Sequence, residues 1–194
     1  MVSMKNHKRS FIHVGNHLAM DFINTQYEYH AETVNLLSRF DDVRQWATEM
    51  KIELETSNED SEMDAVWLLR DAIKTLMIDR IEQQALSKEA IDVVNKHLCD
   101  APTQQQLLTV GEEVTLQSLY QKLTLDQLLG KIANEAAELL TSPQNQQIKS
   151  CSNEKCILMF LDTSRSKKRR WCSMERCGNR AKAANFYHAN KVSD

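Results

Sequence analysis

Four cysteines constrain this chain more than any other feature. They read Cys151-x4-Cys156-x15-Cys172-x4-Cys177, two close pairs within 27 residues. A tetrahedral zinc ion takes four thiolates at about 2.3 Å, and two short turns that each deliver two ligands meet that need. The segment carrying them, residues 149–194, has few large apolar residues: Ile157, Leu158, Met159, Phe160, Leu161, Trp171, Phe186 and Tyr187. A stretch of about forty residues rarely stabilises itself by burial alone, and a bound metal supplies the missing free energy. The spacing therefore favours one structural zinc per chain on Cys151, Cys156, Cys172 and Cys177. Redox thiols, an iron–sulfur cluster or unrelated free cysteines are the alternatives. Four protein thiolates leave no open position, which disfavours catalytic zinc. Cys99 stands alone at the end of a predicted helix and reads as a small buried hydrophobe.

Charge divides the chain at the same place. Residues 149–194 hold 11 Lys+Arg against 4 Asp+Glu, and residues 1–148 hold 13 against 23. The overall −3 thus hides an acidic body and a basic tail, and the tail is expected to meet something anionic. No apolar run approaches the ~18–20 residues of a spanning helix. The basic start, residues 1–9, is not followed by an apolar signal core, so a reducing cytoplasm is the expected compartment. Only four Gly and two Pro in 194 residues disfavour a turn-rich all-β fold and favour long helices.

The body, residues 11–142, reads as mainly helical with a small β element. Residues 1–10 read as a flexible arm. Phe11 to Gly15 reads as a short strand closed by a glycine turn. His17 to Thr25 is apolar at 18, 19, 20, 22 and 23 but carries Asp21 and Asn24, and its period does not decide between helix and strand. A buried Asp and Asn there would need hydrogen-bond partners. Ser38 is a plausible N-cap for a helix with Phe40, Val43, Trp46, Ala47 and Met50 on one face. Residues 49–64, with seven acids and one base, read as a solvated connection. Ser61 opens a long helix striped by Val66, Leu69, Ile73, Leu76, Met77 and Ile81. Ser87 caps another, with Ile91, Val94 and Leu98 inward and Ala101-Pro102 at its end. Val114, Leu116 and Tyr120 alternate after Gly111-Glu112, which predicts a β-hairpin over 103–121. Thr124 to Gln127 is a capping box for a helix using Leu128, Leu129, Ile132, Ala136, Leu139 and Leu140. The polar stretch 141–147 coincides with the charge reversal and is taken as the domain boundary, with the body expected to fold without the tail.

Within the tail, Ile157 to Leu161 predicts a strand, 162–166 a turn, and Ser173 the cap of a helix reaching about Asn190. A strand-turn-strand-helix around zinc results. Met174, Cys177, Ala181, Ala184 and Tyr187 or His188 share one face toward the metal, with Arg176, Asn179, Arg180 and Lys182 outside it. The run Lys167, Lys168, Arg169, Arg170 beside that helix points to phosphate contact more than to a merely solvated face. Trp171 is expected to anchor packing.

The string Cys172-Ser173-Met174-Glu175-Arg176-Cys177-Gly178-Asn179-Arg180-Ala181-Lys182, with Phe160 to Ser164 and Arg169-Arg170-Trp171 before it, resembles the CGNR zinc-finger family. Leu18 to Thr25, followed by Leu36-Leu37-Ser38 and Trp46, resembles the ABATE domain usually found ahead of that finger. The resemblance implies a bacterial, stress-related transcription regulator with a DNA-binding finger. It carries zinc to the four cysteines and a motif label to Gly178, Asn179 and Arg180. Those last two either touch DNA or brace the finger, and for Asn179 bracing is the favoured role.

Three function classes compete. The first is a DNA-binding regulator contacting DNA through Lys167, Lys168, Arg169, Arg170, Arg176, Asn179, Arg180 and Lys182, with the body sensing or dimerising. A lone finger has a small footprint, which makes a homodimer attractive. The second is an RNA-binding or protein-interaction module. The third is an enzyme using Asp21, Asn24, Thr25 and His13 or His17, of which Asp21, Asn24 and Thr25 are also the candidates for ligand contact in the body. No nucleophile elbow, phosphate loop or His-Glu-x-x-His pattern supports it, and an enzyme is not expected.

Overall fold

The computed structural model describes residues 10–29, 32–55, 63–100, 105–118 and 121–183. Helix α1 (Leu18–Ile23) is followed by a small antiparallel hairpin, β1 (Gln26–Tyr29) and β2 (Glu32–Asn35). Helices α2 (Phe40–Glu49), α3 (Met63–Glu82) and α4 (Lys88–Asp100) come next. A second hairpin, β3 (Gln105–Val110) and β4 (Glu113–Ser118), precedes α5 (Leu125–Thr141). A 3-10 turn (Pro143–Gln147) leads into β5 (Ile148–Ser150) and β6 (Met159–Leu161), an antiparallel pair. A single wide turn of π type spans Met174–Gly178, and the chain stays helical over 179–183.

The helices form for the reasons their sequences predict. In α2 the carboxylate of Asp42 accepts from the backbone N–H of Ser38 and Arg39, and Phe40, Val43, Trp46 and Ala47 are buried. The cap residue is Arg39 rather than Ser38. Helix α3 buries Val66, Leu69, Ile73, Leu76 and Met77 along one stripe. At α4, Ser87 Oγ accepts from the Ala90 N–H, and Val94 points inward. The box at α5 is reciprocal, Thr124 N–H to Gln127 Oε1 at 3.0 Å and Gln127 N–H to Thr124 Oγ1 at 3.3 Å. The β3–β4 hairpin turns at Gly111, whose φ of 65° suits glycine. It pairs with no other strand among the described residues and exposes Leu107, Val110, Val114 and Leu116. Ser61, Ala101-Pro102 and Tyr120 lie outside the described residues, as do Ala184, Phe186, Tyr187 and His188.

Two expectations are corrected. Cys99 is exposed, not buried. Residues 11–15 form no regular strand, and glycine is needed at 15 for close approach rather than for a turn. A Cβ on Gly15 would lie 2.7 Å from Met20 Cβ and 2.8 Å from the Asp21 N.

The segment 17–25, which periodicity leaves undecided, is helical and central. Helices α1, α3 and α5 pack on one another, with α4 against α3 and α5. Strand β6 lies on α1 and β5 on α3. One apolar cluster contains Met20, Phe22, Trp46, Leu69, Ile73, Leu128 and Ile132 together with Ile148, Met159 and Leu161. The hydrophobic core therefore runs straight through the polar stretch taken as a boundary.

Polar groups seal the same junction. The fully buried side-chain amide of Asn24 donates to the Met159 carbonyl at 2.8 Å and accepts from the Met159 N–H at 3.0 Å. Leu161 N–H donates to the Gly15 carbonyl at 2.8 Å. Strand β6 thus pairs with β5 on one edge and with Asn24 and Gly15 on the other. A chain ended after Ser142 would lose Ile148, Met159 and Leu161 from the core and leave the Asn24 amide unpaired. That fragment is expected to lack a cooperative thermal transition. In the full chain, Asn24→Ala is expected to cost about 1–3 kcal/mol, read from a urea denaturation midpoint.

Candidate metal centre and basic face

Two loops bring the cysteines together. The first follows β5, where Cys151 N–H bonds to the Leu158 carbonyl and Cys156 N–H to the Asn153 carbonyl. The second is the turn capped by Ser173, whose Oγ accepts from the Arg176 N–H at 3.0 Å. All four sulfurs lie within 4.8 Å of one another. Cys156 and Cys172 Sγ are 3.8 Å apart, and Cys172 and Cys177 Sγ 3.6 Å. Four sulfurs bound tetrahedrally at about 2.3 Å stand about 3.8 Å apart, so the spacing fits one zinc. It is far beyond the ~2.05 Å of a disulfide. The Cys172 N–H also points at Cys151 Sγ, at 3.4 Å, an outer-shell bond that offsets thiolate charge. The four cysteines form one closed structural zinc site.

The expected strand-turn-strand-helix is realised with a different second strand. The partner of β6 is β5, upstream of the first cysteine pair, while 167–171 is irregular. The face expected to point at the metal is also narrower. Cys177 is buried but Met174 is 49% exposed.

Without a cation, thiols this close cannot ionise together. Cys156 is drawn down to about 5, chiefly by its hydrogen bond with Cys172. The same contact pushes Cys172 up, and burial lifts Cys177 to about 11. Zinc must displace those protons.

The apolar surroundings of the site are shared with the body. Ile12 is buried with Cys151, Leu158, Phe160, Cys172 and Cys177, and Val14, Tyr27 and Trp171 pack against them. Trp171 is half-buried there, as expected of an anchor. In β6 the side chains alternate: Phe160 faces the zinc cluster while Met159 and Leu161 face the main core.

A buried carboxylate organises the basic turn. Asp162 is 0% exposed. Its oxygens accept from Lys149 Nζ (2.7 Å), the Arg169 N–H (2.9 Å), and Ser164 N–H and Oγ (3.0 and 2.6 Å). Burial alone would raise its pKa, but these donors outweigh burial and hold it well below the usual carboxylate range.

The candidate contact residues then separate by role. Arg169 is turned inward: its guanidinium lies 4.0 Å from the Phe160 ring centroid and donates to the carbonyls of Val14, Trp171 and Cys172. Lys167 donates to the Asp162 carbonyl at 3.1 Å and has a φ of 51°. Lys168, Arg170, Arg176, Asn179, Arg180 and Lys182 are exposed. The Asn179 backbone N–H closes the wide turn on the Met174 carbonyl. Its side chain hydrogen-bonds to no other described residue, so the favoured bracing role is not seen. Lys155 and Arg165 are also exposed on this module. Lys155 stands apart from the dense basic run and carries no local signal, whereas Arg165 lies two positions before Lys167 and belongs to the same basic stretch. Asp162 and Lys149 carry no signal of their pairing either, because they meet only once β5 and β6 pair.

In the body, Asp21, Asn24 and Thr25 are all buried. Asp21 accepts from the Gly15 N–H at 2.8 Å, and burial raises its pKa. Thr25 Oγ1 donates to the Phe22 carbonyl and accepts from the buried Arg70 at 3.3 Å. Their polar atoms are engaged inside the protein. His13 pairs with Glu49 at 2.7 Å, and His17 lies 3.5 Å from Glu135.

Purified protein is expected to hold one zinc by elemental analysis. Acid is expected to release it, because protons compete for the thiolates. Cys172→Ser should remove the metal and also lower the melting temperature of the body, through the shared core. Asp162→Asn is expected to cost about 2–3 kcal/mol at neutral pH. The Asp162 contribution is present above the ordinary carboxylate pKa and lost as pH falls through its depressed folded value. The difference between variant and parent should therefore shrink in strong acid.

Residues 147–189 match the CGNR zinc finger family. Residues 16–143 match the ABATE family, described as "Putative stress-induced transcription regulator". No curated protein matches the chain. The two matched segments meet at the 3-10 turn before β5, and together they include the four cysteines, Asp162 and Asn24. The chain is therefore a member of the ABATE family carrying a CGNR zinc finger.

Proposed function

We propose that this protein is a non-enzymatic, cytoplasmic and nucleoid-associated transcription regulator that binds DNA through the zinc finger. The observation that supports this reading is the set of exposed cations, Lys168, Arg170, Arg176, Arg180 and Lys182, on a scaffold held by zinc and by the buried Asp162. The acidic body repels phosphate, so this face orients the protein on a polyanion. Lys167 and Arg169 hold the turn in shape, and Lys168 and Arg170 act as phosphate contacts.

The body's part in this reading is sensing or dimerisation. Support for a homodimer comes from the β3–β4 hairpin. The pairing register places Gln105, Leu107, Thr109, Val114 and Leu116 on one face, with no charge among them. On an acidic body, an uncharged face is where two copies can meet without repulsion. Replacing Leu107 and Leu116 by Lys is expected to shift a dimer to monomer in sedimentation, with zinc retained.

The DNA reading is tested by fluorescence anisotropy on duplex DNA over a salt series. Lys168→Ala with Arg170→Ala should weaken binding to every sequence alike and reduce the salt slope by about one unit for each phosphate no longer neutralised. Arg169→Ala should instead lower the melting temperature. Unchanged affinity of the double variant at moderate salt would favour a protein-docking role for this face. Tighter binding to RNA than to DNA would favour the RNA-binding alternative.

A further inference from the structure

The finger's cations do not stand alone on their surface. Strand β1 of the body runs beside the second cysteine turn, and its alternation sets Tyr27 and Tyr29 on one face and Gln26 and Glu28 on the other. Gln26 accepts from Lys74 on α3, which marks the 26/28 face as turned to the body. The opposite face meets the finger: the Arg176 guanidinium lies 6.0 Å from the Tyr27 ring centroid. Tyr27, Glu28, Tyr29, Lys155, Arg176 and Arg180 are among the residues around one notch, where one acid stands against three cations. Its volume is about 40 Å³, room for ordered water or a phosphate oxygen and far too little for a nucleotide. Tyr27 is half-buried, packed against the zinc cluster, whereas Tyr29 is 60% exposed.

An exposed aromatic ring beside three cations in a shallow notch has a specific use. A base inside a duplex has both faces covered by its neighbours, and an aromatic side chain reaches it only by unstacking them. An unpaired base offers an open π-face, and stacking on a protein ring suits any base. The notch excludes a swallowed mononucleotide, so the base lies on the outer ring while the strand passes over the cations. We propose that Tyr29 is a stacking platform for an unpaired nucleic-acid base, with Lys155, Arg176 and Arg180 holding the adjoining phosphates. The body and the finger then form one composite site for single-stranded or locally opened nucleic acid. This rests on the reading of the finger as a nucleic-acid binder and specifies what that surface takes.

The test uses the full-length, zinc-loaded protein and three probes: oligothymidylate, oligouridylate and a blunt DNA duplex. The variants are Tyr29→Ala, Tyr29→Phe, Arg176→Ala with Arg180→Ala, and Lys168→Ala with Arg170→Ala. Thermal melts and zinc content establish that each is folded. Tyr29→Ala is expected to weaken oligothymidylate binding by about 5- to 100-fold and to leave duplex binding unchanged, with Tyr29→Phe close to the parent. The Arg176/Arg180 pair should weaken single-strand binding and flatten its salt dependence. The oligouridylate arm decides whether the unpaired strand is DNA or RNA. If Tyr29→Ala binds oligothymidylate and oligouridylate as the parent does while the Lys168/Arg170 variant loses affinity, the stacking site is overturned and the finger remains a nucleic-acid binder. If the parent binds none of the three probes, both readings fall.

Discussion

A three-residue strand holds this protein together. Every direction around β6 is occupied: β5 on one edge, the Asn24 amide and the Gly15 carbonyl on the other. Met159 and Leu161 enter the helical core, and Phe160 enters the zinc cluster. A three-stranded pairing is thus completed by a side chain and a loop, because an amide side chain offers a donor and an acceptor in the same plane as a peptide group. Gly15 and Asn24 are buried, so neither can leave without stranding polar groups away from water. Zinc binding and folding of the body are linked through this strand.

The same economy governs charge. The finger is basic by composition, yet part of that charge is internal. Lys149 and Arg169, both half-buried, converge on Asp162 or on carbonyls of neighbouring loops, Lys167 is tied to the Asp162 carbonyl at the surface, and the remaining cations are left pointing outward. A buried carboxylate at the base of a basic turn does two things. It draws the turn's backbone N–H groups inward, and it offsets enough positive charge for the turn to adopt one conformation. The outward cations then sit on a rigid frame, which lowers the entropy cost of ordering them on a polyanion.

Much of this was legible in the residues. The helices of the body followed from stripes at i, i+3 and i+4, from Ser87 and from the Thr124–Gln127 box, because these are local signals. The hairpin at Gly111 followed from alternation about a glycine. The metal site followed from spacing, since two turns with two thiols each leave little other chemistry. Local signals also misled. Arg169 looks like its neighbours in a basic run, yet it alone stacks on Phe160. Asn179 looked suited to bracing and is exposed. Cys99 looked like a core residue and faces solvent, since a helix end near its cap lies at the margin of the packed stripe.

What the sequence determined by itself is the set of helices, the zinc ligands and the separation of acidic from basic segments, because each is written in neighbours a few residues apart. What only the tertiary structure decided is that the segments on either side of the charge reversal share one core. Asn24 finds Met159 across 135 residues of chain and Arg169 finds Val14 across 155. No periodicity or composition encodes such a pairing. It arises because a buried amide or guanidinium must be satisfied, and the groups that satisfy it are placed by the packing of α1, α3 and α5.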